Sequence, residues 1–110
     1  MTLPNADEAQ TDTRKLTSYL LNAAHRRGGT KARLLVQFGH HREDWRRLES
    51  DIRASHLNAE VDATRQTSYG VRYEIRAPRN TPVGRPLRVR TVWQIDKGAR
   101  APRLLTLFPD

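Results

Sequence analysis

The sequence predicts an α+β domain in which two to three N-terminal helices pack on one face of a four-stranded antiparallel β-meander. Three observations carry this. The apolar residues recur at three and four positions as far as Ile52, then at every second position from Tyr69, so the period switches once along the chain. Turn residues break the second half into short runs, the pattern of a meander. The 110 residues have room for one core, and with no cysteine that core rests on packing alone.

Residues 1–12 are polar, contain Pro4 and show no period, which reads as a flexible leader to a single domain over residues 13–110. From Thr13 onward Leu16, Tyr19, Leu20 and Ala23 mark a first helix, capped by Asp12 or Thr13 and ended by Gly28-Gly29. Thr30 is the cap of a short second helix carrying Leu34, Leu35 and Phe38, stopped by Gly39, after which His40 and His41 sit in a turn. Trp45, Leu48 and Ile52 form the apolar stripe of a third helix. Ala59 to Thr64 alternates weakly and reads as a first strand. Tyr69, Val71, Tyr73 and Ile75 alternate with Gly70, Arg72, Glu74 and Arg76 in a second, ended by Pro78. Leu87 to Asp96 alternates in the same way, Lys97-Gly98 supplies a turn, and residues 101–108 form the last strand before Pro109. Val71, Tyr73, Ile75, Val89, Trp93 and Ile95 then pack on the helices, and Arg72, Arg76, Arg88 and Arg90 line the open face.

Twenty basic residues against 12 acidic ones give a net charge of +8. Asp7, Glu8 and Asp12 lie in the leader, so residues 13–110 hold 20 basic residues against nine acidic ones, a net of +11. Seventeen of the basic residues are arginine, the better bidentate partner for phosphate, although a GC-rich genome also enriches arginine. A polyanion is the expected partner, with nucleic acid ahead of a membrane surface or an acidic protein. No apolar run approaches the roughly 20 residues that span a bilayer. The N-terminus has no basic start and no apolar stretch, so the expected location is cytosolic unless the domain is a piece of a larger secreted protein.

Like charges about 5 Å apart on neighbouring strands repel, so the arginine row needs acidic compensation. It comes either from Glu74, Asp62, Glu60 or Asp96, or from a bound polyanion. The segment from Asn22 to Arg33 joins His25, the double glycine, Lys31 and Arg33 at a helix start. Its backbone amides and Lys31 can hold a phosphate, or the glycines merely form an interhelical turn. The Gly-to-Lys spacing is wrong for a Walker loop. His25, His40, His41 and His56 show no spacing of metal ligands, so no metal or other cofactor is expected, and His25 is the candidate general acid or base. Trp45 and Trp93 sit on apolar stripes, as core residues do.

The stretch Lys15 to Arg33, with Trp45, Tyr69-Gly70-Val71-Arg72-Tyr73, Arg88-Val89-Arg90-Thr91-Val92-Trp93 and Pro102-Arg103-Leu104-Leu105-Thr106, resembles a family of small bacterial domains of unassigned function. Members of that family look like toxin modules, free beside a small partner or at the C-terminus of larger toxins. The resemblance covers nearly all of residues 14–109. It departs where the family has an aromatic residue near Leu107-Phe108 and often proline at Arg26. The helices-then-strands order is similar to that of the barnase, EndoU, colicin and RelE class of metal-independent ribonucleases, an analogy of fold.

The resemblance implies a cytosol-acting endoribonuclease toxin, neutralised by a cognate acidic antitoxin or immunity protein. Attack of an RNA 2′-hydroxyl on the adjacent phosphate needs a proton acceptor, a proton donor and cations over the phosphorane. The expected catalytic set is His25, Lys31, Arg88, Arg90 and Thr106, with Arg33, Arg72 and Arg76 on the RNA backbone. The alternatives are a non-catalytic nucleic-acid-binding module with the same face, and a scaffold whose basic face meets an acidic protein.

Overall fold

The computed structural model describes residues 1–12, 14, 35, 40, 42–79, 84 and 87–109. Its centre is one antiparallel sheet in the order β1-β2-β3-β4, formed by Ala63–Thr67, Gly70–Arg79, Leu87–Asp96 and Arg103–Pro109. This is the expected meander. Among the described residues it is accompanied by one α-helix, α1 (Trp45–His56), entered through a 3₁₀ turn at Arg42–Asp44. The helical layer described is therefore one helix rather than two to three, because the helices expected around Leu16 and Leu34 lie outside the described residues.

The period of α1 explains its seat. Leu48 and Ile52 fall on one stripe and are fully buried, and Trp45 packs against the same core from its edge under the Arg46 guanidinium. At the end of the helix His56 is buried as well. Its Nε2 lies 3.2 Å from the Val89 carbonyl, which can only accept, so the ring donates there and ties α1 to β3. Ile75 and Ala77 of β2, Val89, Thr91 and Trp93 of β3, and Leu104 and Leu107 of β4 complete the core. The odd-numbered side of β2 and β3 thus faces inward from Tyr73 to Ala77 and from Val89 to Trp93, as the alternation predicts, whereas Val71 and Ile95, paired near the β1–β2 turn, are only half-buried and lie outside the core.

Residues 1–12 do not trail as a leader. Leu3 and Ala9 are buried in the core, and a 3₁₀ turn spans Ala6–Glu8. Gln10 exchanges backbone bonds with Pro102 and Leu104 at 2.8 and 3.0 Å, covering part of the outer edge of β4. Arg53 donates to the Ala9 carbonyl at 2.9 Å and Arg100 pairs with Glu8 at 3.0 Å. A polar composition hides two apolar side chains that are enough to dock a short segment.

The first strand begins later than its weak alternation suggests. Glu60 and Val61, read as part of it, instead meet the N-terminal segment, with Val61 N–H donating to the Met1 carbonyl at 2.7 Å. β1 proper is Ala63–Thr67, and the side chain of Thr67 closes the β1–β2 turn by donating to the Gly70 carbonyl at 2.8 Å and accepting from the Tyr69 and Gly70 amides. β2 also runs through Pro78. Even-numbered residues of β2 turn their backbone groups toward β1, which ends before Pro78, so the missing N–H leaves no ladder bond unmade. Where the ladder stops, the Asp62 carboxylate takes the Arg76 amide at 2.6 Å.

At Gly70 φ is +149°, and a Cβ there would run into the Ile95 carbonyl on β3. Gly70→Ala is expected to destabilise the domain by roughly 1–3 kcal/mol. A urea titration should show a lower midpoint at unchanged slope; an unchanged midpoint would mean that the strands can part at no cost.

Between β3 and β4 the register slips by one residue. Val92 pairs with Thr106 and Trp93 with Leu104, which leaves Leu105 as a β-bulge. Leu104 and Leu107 therefore both point inward, while Leu105 and Thr106 reach the other face. No helix among the described residues is long and apolar enough to cross a membrane.

Candidate functional site

The even-numbered side chains of β2 and β3 form the second face of the sheet. Arg72, Arg76, Arg88 and Arg90 share it, as the alternation predicts, and Arg65 of β1 and Arg103 of β4 extend it at either side. Arg65 stands directly opposite Arg72, and Arg76 directly opposite Arg90. Opposed like charges on a ladder are unfavourable, by a few tenths of a kcal/mol to about 1 kcal/mol each.

The acids relieve little of this. Glu74 reaches Arg90 Nη1 at 3.5 Å. Asp62 spends its carboxylate on a backbone amide, and Glu60 takes the terminal ammonium. Asp96 is paired with Arg103, at 2.7 Å from Nε and 3.2 Å from Nη2. The Arg103 bond, and after it the Gln94 amide, hold the Asp96 carboxyl below its ordinary range, and the same pair raises Arg103. Arg72 donates from Nε to Gln94 Oε1 at 2.9 Å, so a polar strip runs Arg72, Gln94, Asp96, Arg103 across the strands. Among the described residues no carboxylate lies within ion-pair distance of the guanidinium of Arg65, Arg72, Arg76 or Arg88. Among the described residues, carboxylate compensation reaches Arg90 of the expected row and stops there.

A groove of about 540 Å³ crosses this face from β1 to β4. Ala63, Val92, Leu105 and Phe108 give it an apolar lining; Arg65, Arg72, Glu74 and Thr106 supply its polar groups. Arg90 lies against two of the lining residues, with Nη1 3.5 Å from Glu74 and its guanidinium carbon 5.3 Å from the centre of the Phe108 ring, and its Nε is buried without an acceptor among the described residues. The bulge at Leu105 makes the groove possible, since a regular strand would turn either Leu105 or Thr106 away from it.

The structure brings together five of the residues expected to act, Arg72, Arg76, Arg88, Arg90 and Thr106. His25, Lys31 and Arg33 lie outside the described residues. Two other imidazoles are interior: His56 as above, and His40, placed in a turn by the sequence, which is buried with Nε2 3.8 Å from Asp51. Trp93 is a core residue, its Nε1 donating to Thr91 Oγ1 at 2.9 Å. Sequence reasoning missed Arg65, because the first strand was placed too early, and Phe108, because the bulge hides the parity of β4. Glu74 was weighed only as a compensating charge, whereas it lines the groove.

The chain matches the family model described as Domain of unknown function (DUF6883) over residues 2–110. No curated protein and no solved structure matches it.

Proposed function

We propose that this chain, which belongs to the DUF6883 family, is a metal-independent endoribonuclease toxin that acts in the cytosol and is held in check by an acidic antitoxin or immunity protein. The observation that supports this reading is the groove set in an arginine face, four of whose guanidinium groups have no carboxylate partner among the described residues. Such a face leaves cations available to phosphates, as RNA binding requires.

In the proposed reaction the ribose 2′-oxygen forms a bond to phosphorus and the bond from phosphorus to the 5′-oxygen breaks, leaving a 2′,3′-cyclic phosphate. The 2′-hydroxyl proton passes to a base and the departing 5′-oxygen takes a proton from an acid. His25 and Lys31 are assigned to proton transfer. Arg88 and Arg90 stabilise the charge gathering on the phosphorane oxygens, Thr106 donates to the scissile phosphate, and Arg33, Arg72 and Arg76 hold the flanking backbone. A non-catalytic RNA-binding module is the second reading. In its favour, the described part of the open face carries cations and the carboxylates Glu74 and Asp96 but no imidazole.

Both readings require phosphate contacts. If four arginines each neutralise one phosphate, the affinity for a labelled single-stranded RNA should fall roughly fifty-fold between 50 and 200 mM salt, from a slope of about −0.7 per contact. A flat response would remove both.

A further inference from the structure

We propose that the groove is a nucleobase subsite selective for guanine, in which Glu74 takes the N–H edge of the base and Arg65 and Arg72 take the phosphate of the same nucleotide. The inference rests on the nucleic-acid reading above and adds the identity of the base.

A phosphate chain alone has no use for an apolar floor. Val92, Leu105 and Phe108 nevertheless line the groove on a face that carries six arginines, Arg65, Arg72, Arg76, Arg88, Arg90 and Arg103. A planar base is the part of a polynucleotide that gains from such a surface, by stacking and by leaving water. The volume of about 540 Å³ lies in the range of sites that enclose a ligand of nucleotide size.

Glu74 narrows the choice. A carboxylate repels phosphate, so its place among the arginines calls for a ligand that brings N–H groups as well as negative charge. Its one polar contact among the described residues is Arg90 Nη1 at 3.5 Å, at the outer limit for a hydrogen bond, and that bond engages Oε1. Oε2 has no donor among the described residues. An ionised carboxylate only accepts, and two parallel N–H donors suit it best. Guanine offers that pair on its Watson–Crick edge, N1–H beside the N2 amine. Adenine and cytosine each set one amine beside a ring-nitrogen acceptor, and uracil sets one N–H between two carbonyls. For these three a second carboxylate oxygen meets a lone pair. On the phosphate side, Arg65 and Arg72 are directly opposed on β1 and β2, and an anion between them would relieve their repulsion.

The test is calorimetric titration of the intact chain at low salt with 5′-GMP, 5′-IMP, 5′-AMP, 5′-CMP and 5′-UMP, alongside binding of a labelled single-stranded RNA. GMP should bind at least about tenfold more tightly than AMP, CMP or UMP, with IMP between them because it lacks the N2 amine. Glu74→Gln should bring GMP down to the level of the others. Phe108→Ala should weaken all five together. Equal binding of the nucleotides to the unaltered protein, or a guanine preference that survives Glu74→Gln, overturns the proposal. If the RNA binds while GMP is not preferred, the guanine subsite falls alone; if neither RNA nor any nucleotide binds, the nucleic-acid reading falls with it.

Discussion

Replacing Arg90 with alanine should lower the rate of RNA cleavage about 10²–10³-fold, the loss seen when one preorganised donor to a developing oxyanion is removed. Arg90 is the one cation of the expected row that the described residues show paired with a carboxylate. Its Nη1 meets Glu74 at 3.5 Å, its guanidinium lies against Phe108, and it is two-thirds buried, with 30% of its side chain exposed. A side chain held this way needs little reorganisation to meet charge as it forms, unlike Arg88, which is exposed. RNA binding should weaken with it, since a cation that stabilises the transition state also attracts the ground-state phosphate. Thermal stability should hardly change, because an ion pair as long as 3.5 Å with both partners about one-third exposed contributes at most about 1 kcal/mol. His25→Ala separates the roles: as proton carrier its loss should slow cleavage about 10²–10⁴-fold with binding intact. Single-turnover rates read beside binding curves give both quantities. Normal cleavage by His25→Ala together with a dead Arg90→Ala would move proton transfer to Lys31 or leave a purely electrostatic mechanism.

On the other side of the sheet, Trp93→Ala should remove about 3–5 kcal/mol of stability. Total stability for a domain of this size is about 5–15 kcal/mol. Trp93 is fully buried in the core, and its indole N–H is satisfied by Thr91 at 2.9 Å. Truncation leaves a cavity in the middle of the core and a Thr91 hydroxyl without its partner. A denaturant titration should show a markedly lower midpoint at unchanged slope. A loss of less than about 1 kcal/mol would mean that the core closes over the gap, contrary to the packing described.

Arg90→Ala and Trp93→Ala probe opposite faces of one strand, β3, and that division was legible in the sequence. The alternation in β2 and β3 separates the two faces, so parity alone divides Ile75, Val89 and Trp93 in the core from Arg72, Arg76, Arg88 and Arg90 on the open side. The stripe of α1 was equally plain. β1 was not, since its Ala-Thr-Arg-Gln-Thr is exposed along most of its length and carries no apolar period; its position follows from the Thr67 turn and from the N-terminal segment meeting Glu60 and Val61. In β4 the run Leu104-Leu105-Thr106-Leu107 fits either parity, and only the bulge decides that Thr106 and Phe108 face the groove. Glu74 was hidden for a different reason. A lone acid among arginines reads as charge compensation until the depth of the groove around it is known.

Cleavage of RNA without metal is the property that separates the proposed enzyme from a binding module. Purified protein should be incubated with single-stranded RNA in excess EDTA and the new ends identified. The account predicts fragments ending in 2′,3′-cyclic phosphate and 5′-hydroxyl, formed at a rate that Arg90→Ala lowers about 10²–10³-fold. RNA left intact, or ends of another kind formed only when a divalent ion is restored, would contradict it.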